Sequence, residues 1–173
     1  FSYTPCYRKE AGSYRAAERG MIRGHQFNKV EMFQFTRPED SDNAFDALLE
    51  KAERLVQALG LHYRVVKLAA ADCGASMART FDIEVWIPSM NDYKEVSSVS
   101  NSREYQARRG NIRFKRNETK RNEFIHSLNA SGLATSRIIP AIVEQFQEAD
   151  GRVKVPEVLR EGVGKEYLTP AEK

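Results

Sequence analysis

Two short stretches near the start of the chain carry arginines, acids and one aromatic ring at spacings that suit anion and base recognition. If residues 4–9 form a strand, a period of two puts Arg8 and Glu10 on one face. If residues 23–36 form the next strand, the same period puts Arg23, Phe27 and Glu31 on one face. A hairpin between the two sets two guanidiniums, two carboxylates and one ring side by side. Guanidiniums match phosphate oxygens in fork geometry, an aromatic face stacks a base, and a carboxylate accepts from an exocyclic amine or an ammonium. The set suits a nucleotide together with an amino compound. It equally describes cross-strand Arg–Glu pairing on a wet sheet face.

Further along, Glu95 and Ser98 offer oxygen ligands to a hard cation such as Mg²⁺, which reaches protein through one or two carboxylates while it holds substrate phosphates. Three residues apart in a regular strand they point to opposite faces, so both meet one ion only where a bulge or twist intervenes near Ser97. An exposed Ser-rich strand is the plain alternative. The run Asn129-Ala130-Ser131-Gly132 reads as the entry to a helix, with Ser131 as N-cap and Arg137 on the helix. Backbone N–H groups and the positive dipole end there favour anions, although an ordinary Ser-capped helix with an exposed Arg has the same pattern. His25, His62 and His126 are scattered, with no ordering that suggests a nucleophilic triad, and Cys6 and Cys73 read as small core residues.

The elements that must position these groups follow from periodicity. Residues 10–22, rich in Gly, Ala, Arg and Glu, read as a loop joining the first two strands. From Pro38 the period changes: Phe45, Leu48, Leu49, Ala52, Leu55, Val56 and Leu59 recur at three and four, with acids in the first turn and Gly60 as the stop, which predicts an amphipathic helix. Strands are predicted over 63–69, then over the alternation Phe81, Ile83, Val85 and Ile87 ending at Pro88, then over 93–101 after an Asn91-Asp92 turn. Residues 112–115 and 123–128 read as a hairpin around a polar stretch, and the second helix runs from Ser131 to Phe146. Pro140 inside it removes one helical hydrogen bond, so a kink or a start later than Ser131 is expected. Hairpin-linked strands with helices interposed predict an α+β fold on a mostly antiparallel sheet flanked by helices.

The chain has 173 residues, 41% of them apolar and 29% charged, with two cysteines. A chain of this length buries roughly 70% of its unfolded surface, so one core needs neither disulfides nor structural metal. Two cysteines make no stapling framework, which points to a reducing compartment. Mean hydropathy is −0.58 and no run approaches the ~20 apolar residues that span a bilayer. Net charge is +3, but residues 103–121 hold eight basic side chains against two acidic ones, so the remainder is slightly acidic. Such a patch attracts phosphates, or it is a solvated hairpin guarded by Lys and Arg. The chain opens Phe1-Ser2-Tyr3-Thr4-Pro5, with neither Met nor signal-peptide features, which reads as a piece cut from something longer.

Taken in order, these segments resemble the catalytic domain of the seryl-tRNA synthetases, which are class II aminoacyl-tRNA synthetases. Residues 5–12 (PCYRKEAG) followed by 19–31 (RGMIRGHQFNKVE) are similar to that family's motif 2, and 128–134 (LNASGLA) through Arg137 to its motif 3. Between them lie 81–88 (FDIEVWIP), 95–101 (EVSSVSN) and 106–109 (QARR) in the family's order. The resemblance implies an ATP site from Arg8, Lys9, Glu10, Arg23, Gly24, Phe27, Glu95, Val96, Ser97, Ser98 and Arg137. In it Arg8, Arg23 and Arg137 are the catalytic arginines, Phe27 stacks on adenine and Glu10 meets its amine. It further implies serine binding by Glu31, Asn129 and Ser131, and Mg²⁺ on Glu95 and Ser98.

The implied reaction is activation of L-serine by ATP to seryl-adenylate, then transfer to tRNA(Ser), and to the selenocysteine tRNA as well, in a cytoplasmic homodimer. The loop carrying Arg15 and Arg19 would meet the acceptor end. The expected domain organisation is a partial catalytic domain over 1–173, without motif 1, the Thr-x-Glu serine loop or the N-terminal coiled-coil arm, and inactive alone. Departures from the family's pattern include Ala130 and Ser136 in place of Gly, Val99 and Ser102 in place of Cys, and Gly24 in place of Val. The methyl of Ala130 is expected to narrow the serine pocket or shift a backbone. The alternative is a synthetase-like paralogue that binds or regulates, or that ligates an amino acid to a carrier protein.

Overall fold

The computed structural model describes residues 1–9 and 20–171. Six strands form one sheet: β1 (Ser2–Tyr7), β2 (Gln26–Thr36), β3 (Tyr63–Lys67), β4 (Arg79–Ile87), β5 (Asp92–Asn101) and β8 (His126–Ala134). Every neighbouring pair is antiparallel, in the order β1-β2-β8-β5-β4-β3. Helices α1 (Ser41–Ala58) and α3 (Thr135–Gln145) pack against it, which makes an α+β fold. A short helix α2 (Tyr105–Gly110), the hairpin β6 (Arg113–Lys115) and β7 (Asn122–Phe124), and a C-terminal β9 (Val153–Lys154), α4 (Glu157–Val163) and β10 (Tyr167–Leu168) complete the described chain. No helix among the described residues is long and apolar enough to cross a membrane.

Alternation decides the two faces of the sheet. Ile83, Val85 and Ile87 of β4, Val99 of β5, and Leu128 and Ala130 of β8 are buried on one side. There they meet Phe45, Leu48, Ala52 and Val56, which the helical period brings to one stripe of α1, and Ile138 and Ala141 of α3. Pro38 opens a single 3-10 turn before α1, with Glu39 and Asp40 at the positive end of the helix dipole. The helix stops where Gly60 adopts φ +71° and donates to the Gln57 carbonyl, a conformation that favours glycine. The opposite face carries Thr80, Asp82 and Glu84 of β4 and Asn129 and Ser131 of β8, and this polar face holds the candidate site.

Several expectations change. Residues 129–132 do not enter a helix: they lie in β8, and α3 starts at Thr135 with Ala134 at its N-cap and no side-chain cap bond. Ser131 reads as a cap because a small hydroxyl suits one, yet β8 is an inner strand, with β2 on one side and β5 on the other. Pro140 remains inside α3, so the Ser136 carbonyl lacks its helical N–H partner. Arg23 belongs to a 3-10 turn over Gly20–Arg23, and the long strand begins at Gln26. The second hairpin is confined to β6 and β7, because residues 126–128 join the main sheet. Cys6 and Cys73 are free and half-buried, outside the core: Cys6 sits on the edge strand and Cys73 in a loop.

The basic patch is partly structural. Arg108 and Arg113 lie over the Phe124 ring at 4.7 and 4.5 Å, and Arg109 lies over Tyr105 at 3.4 Å. Arg116 bonds both carboxylate oxygens of Glu39 at 2.7 and 3.0 Å and both of Glu123 at 2.7 Å.

Candidate active site

Arg8 follows directly on the edge strand β1, and Phe27 stands on β2 beside it. The register sets Cys6 opposite Phe27, and beyond it the Arg8 amide donates to the His25 carbonyl at 2.8 Å. Arg8 therefore shares a face with Phe27, its guanidinium carbon 5.0 Å from the ring centroid. The 3-10 turn before β2 brings Arg23 to the same place although Arg23 is not in the strand. With Gly24, Lys29, Glu95 and Arg137 these residues line a cavity of about 70 Å³. Arg137 enters from the first turn of α3, donating from Nη1 to the Glu95 carbonyl at 2.7 Å and from Nε to the Ile22 carbonyl at 3.3 Å. Three arginines and one aromatic ring that line one cavity suit a polyanion that carries a base.

Beside it, Glu31 of β2 faces Ser131 of β8 in register and Asn129 one step along. Asn129 Nδ2 donates to Glu31 Oε1 at 2.7 Å and Ser131 Oγ to Oε2 at 3.4 Å, while Lys29 Nζ lies 2.7 Å from Oε2. The carboxylate is held in place by neutral donors and paired with a lysine that sequence reasoning left without a role. This corner offers a fixed acceptor to an ammonium or hydroxyl of a small ligand.

The bulge that Glu95 and Ser98 require is present. Opposite β4, Ser97 pairs with Ile83 and Glu95 with Glu84, so Val96 is the extra residue. One inserted residue reverses the alternation, which returns Glu95 to the face that holds Ser98. Both line an open cleft of about 680 Å³ together with Thr80, Asp82, Ser100 and Asn129. Sequence reasoning missed Asp82. It pairs in register with Ser98 and is only 9% exposed, and its Oδ1 is buried with no hydrogen-bond partner. Burial pushes its carboxyl up to about 6, reinforced by the charges of Glu95 and Glu84 and opposed by the Ser98 hydroxyl and Arg137. The alternation around Asp82 was the available signal, since it set Asp82 and Glu84 on the polar side of β4. Among the described residues no three His, Cys, Asp or Glu side chains form a ready-made metal cage.

Other expected residues fall elsewhere. Val96 lines the smaller cavity, whereas Ser97 is fully buried and donates its hydroxyl to the Ser131 carbonyl at 2.8 Å, tying β5 to β8. Lys9 is exposed just past β1 and lines neither cavity. Ala130 is fully buried among the core residues, so its methyl faces the helices and not the pocket expected to be narrowed; strand parity sends it away from Asn129 and Ser131. Glu10, Arg15 and Arg19 lie outside the described residues.

The profile of the tRNA synthetase class II core domain (G, H, P, S and T) matches residues 1–146. Among curated relatives, serine–tRNA ligase 2 of Clostridium acetobutylicum is 73% identical over 97% of this chain and 40% of its own length. The serine–tRNA ligase of Petrotoga mobilis is 53% identical over 96% of this chain and 39% of its own. Among solved structures, seryl-tRNA synthetase from Pyrococcus horikoshii complexed with ATP superposes with a TM-score of 0.93 at 42% identity, covering 98% of this chain and 38% of that one. Cytoplasmic serine–tRNA ligase from Naegleria fowleri in complex with AMP gives 0.89 at 35% identity, covering 98% and 41%. The chain thus spans about 40% of the length of the curated relatives it matches. With motif order, antiparallel sheet and profile in agreement, the chain belongs to the class II tRNA synthetase core domain family.

Proposed function

We propose that this chain is the ATP- and serine-binding portion of the catalytic domain of a serine–tRNA ligase, which activates L-serine to seryl-adenylate and transfers it to tRNA(Ser). The observation that carries the reading is the adjacency of the three-arginine, one-ring cavity to the Glu31–Asn129–Ser131 corner, two complementary subsites on one sheet face. Names of relatives at up to 73% identity support it.

In this reading adenine stacks on Phe27, and Arg8 meets the α-phosphate and the substrate carboxylate together. Arg23 and Arg137 hold the outer phosphates. Glu31, oriented by Asn129, receives the serine ammonium or hydroxyl and exchanges its contact with Lys29 for the ligand. The serine carboxylate then attacks the α-phosphorus and pyrophosphate leaves. In the second step the terminal adenosine hydroxyl of tRNA attacks the seryl carbonyl and AMP leaves. Positioning and fixed positive charge supply most of the acceleration, because no protein nucleophile is needed.

Glu95 and Ser98, brought to one face by the Val96 bulge, form an all-oxygen donor pair that fits Mg²⁺. When bound, the ion neutralises phosphate charge. The reading includes a homodimeric, cytoplasmic parent protein.

The test is ATP–pyrophosphate exchange by the protein carrying this chain, with serine, threonine, alanine and glycine offered separately. Exchange dependent on serine is expected. Equal exchange with alanine, or none with serine, overturns the assignment.

A further inference from the structure

We infer that Lys29 is a further catalytic residue that couples the two subsites: serine displaces its ammonium from Glu31, and the freed ammonium crosses to the α-phosphate. This rests on the proposed serine–tRNA ligase function and adds to it a group that answers to both substrates. Phe27, Lys29 and Glu31 stand at successive same-face positions of β2, about 7 Å apart. In the proposed binding mode adenine lies on the first and the serine ammonium on the third. Lys29 therefore stands at the seam where the new bond forms. Its side chain already belongs to both subsites, since it lines the three-arginine cavity and its Nζ lies 2.7 Å from Glu31 Oε2.

The contacts of the Glu31 carboxylate separate what is fixed from what exchanges. Asn129 Nδ2 donates to Oε1 at 2.7 Å and Ser131 Oγ to Oε2 at 3.4 Å, both from neutral groups of an inner strand. Lys29 is an ammonium, the same chemistry as the ligand's own, and it sits on the oxygen that the ligand must share. The pair is largely buried, with 29% of the lysine and 18% of the glutamate side chain exposed, so two ammonium groups on one oxygen repel strongly. The lysine leaves as serine arrives, and its landing places are few. The residues opposite it, Thr4 on β1 and Ala134 on β8, carry no charge. Among the described residues lining the cavity the sole carboxylate is Glu95, which already stands 3.6 Å from Arg137 Nη1. The anion left to Lys29 is the phosphate of the nucleotide. In the reaction a serine carboxylate oxygen bonds the α-phosphorus, and the bond from that phosphorus to the bridging oxygen breaks, its electron pair leaving with pyrophosphate. Lys29 transfers no proton; its charge opposes the build-up on the non-bridging α-phosphate oxygens. ATP in turn gives the displaced lysine a partner, so each substrate tightens the other.

The experiment is calorimetric titration of serine into the protein carrying this chain, alone and with an ATP analogue whose α- and β-phosphorus atoms are joined by methylene. It is run on the unmutated protein, Lys29→Met and Lys29→Arg, with pyrophosphate exchange measured on each. In the unmutated protein the analogue is expected to tighten serine roughly tenfold. Lys29→Met keeps an arm of similar length and removes the competitor. Serine alone should then bind as tightly or more tightly, the analogue should no longer help, and kcat for exchange should fall on the order of a hundredfold. Lys29→Arg keeps the charge and should restore the coupling and part of kcat. Weaker binding of serine alone to Lys29→Met makes the lysine a brace for Glu31 and overturns the inference, as does coupling that survives in that variant or is absent from the unmutated protein. If the unmutated protein binds serine no better than alanine, the proposed function fails as well. Crystals of the unmutated protein with serine and the analogue need no variant. Lys29 Nζ about 3 Å from an α-phosphate oxygen supports the inference, and Nζ still on Glu31 overturns it while leaving the serine site standing.

Discussion

Phe27 and Glu31 sit four residues apart on β2, and their surroundings assign them separable tasks. The Phe27 ring is half-buried with the Arg8 guanidinium 5.0 Å away, so under the proposed function a stacked base would meet a ring already polarised by a cation. Base stacking on an aromatic ring is worth about 1–3 kcal/mol, so Phe27→Ala is expected to raise the KM for ATP roughly tenfold or more with little change in kcat. Phe27→Tyr should restore most of it. Exchange assays at varied ATP decide, and an unchanged KM would remove adenine from that ring. Glu31→Gln keeps an acceptor oxygen for Asn129 Nδ2 and turns the Ser131 hydroxyl from donor to acceptor of the new amide, but it discards the charge that would meet an ammonium. A charge-assisted hydrogen bond contributes about 1.5–3 kcal/mol, so the KM for serine should rise on the order of tenfold to a hundredfold while that for ATP stays put. Equal shifts in both would mean that Glu31 supports the sheet and not the ligand. Both residues were legible in the sequence because period two survives through β2. Asp82 was not, since alternation reports that a side chain leaves the core face but not what stands opposite.

Elements carry the remaining discrepancies and the stability argument. The long helix was readable because eighteen residues of three-and-four spacing between Pro38 and Gly60 agree with its end signals. The start of α3 was misplaced because Ser131 has the chemistry of a cap, and only the pairing of β8 with β2 and β5 shows that its hydroxyl is used across a sheet. Short α2 has too few turns for a period to register. Arg116 joins the entrance of α1, through Glu39, to β7, through Glu123. Its guanidinium holds the Glu39 carboxyl down at about 2, from 4.5, and lowers that of Glu123 as well. A carboxyl depressed in the folded state contributes stability that is present above its unfolded value and is lost as pH falls through the folded one. Thermal unfolding should therefore show the unmutated protein losing an advantage over Glu39→Gln between pH 4.5 and pH 2, with the two curves parallel above that window. A constant gap across the whole range would assign the effect to packing.

At the scale of the whole molecule, the polar face of the sheet is furnished at its centre and bare at one end. Phe33 and Phe35, on the same parity of β2 as Glu31, are 54% and 65% exposed, and on the edge strand β1 Tyr3 and Tyr7 are exposed as well. Large apolar rings beside an open strand edge are a liability for a chain on its own. The curated relatives are about two and a half times as long as the matched segment, so each carries much structure that this chain does not supply. Under the proposed function the two subsites would serve as an acceptor for the serine amine or hydroxyl and a clamp for phosphates. The chemistry further requires that the serine carboxylate be held in line with the α-phosphorus to within fractions of an ångström. Produced alone, the 173-residue chain is expected to self-associate in sedimentation and to give no measurable serine-dependent exchange, while the protein carrying it exchanges pyrophosphate. Replacing Phe33 and Phe35 by serine should reduce the self-association without restoring exchange, because solubility and substrate alignment are different deficits. Exchange by the isolated chain at a rate near that of the longer protein would mean that this sheet face alone aligns serine with ATP, and the serine corner would then have to contain a carboxylate anchor beyond Arg8.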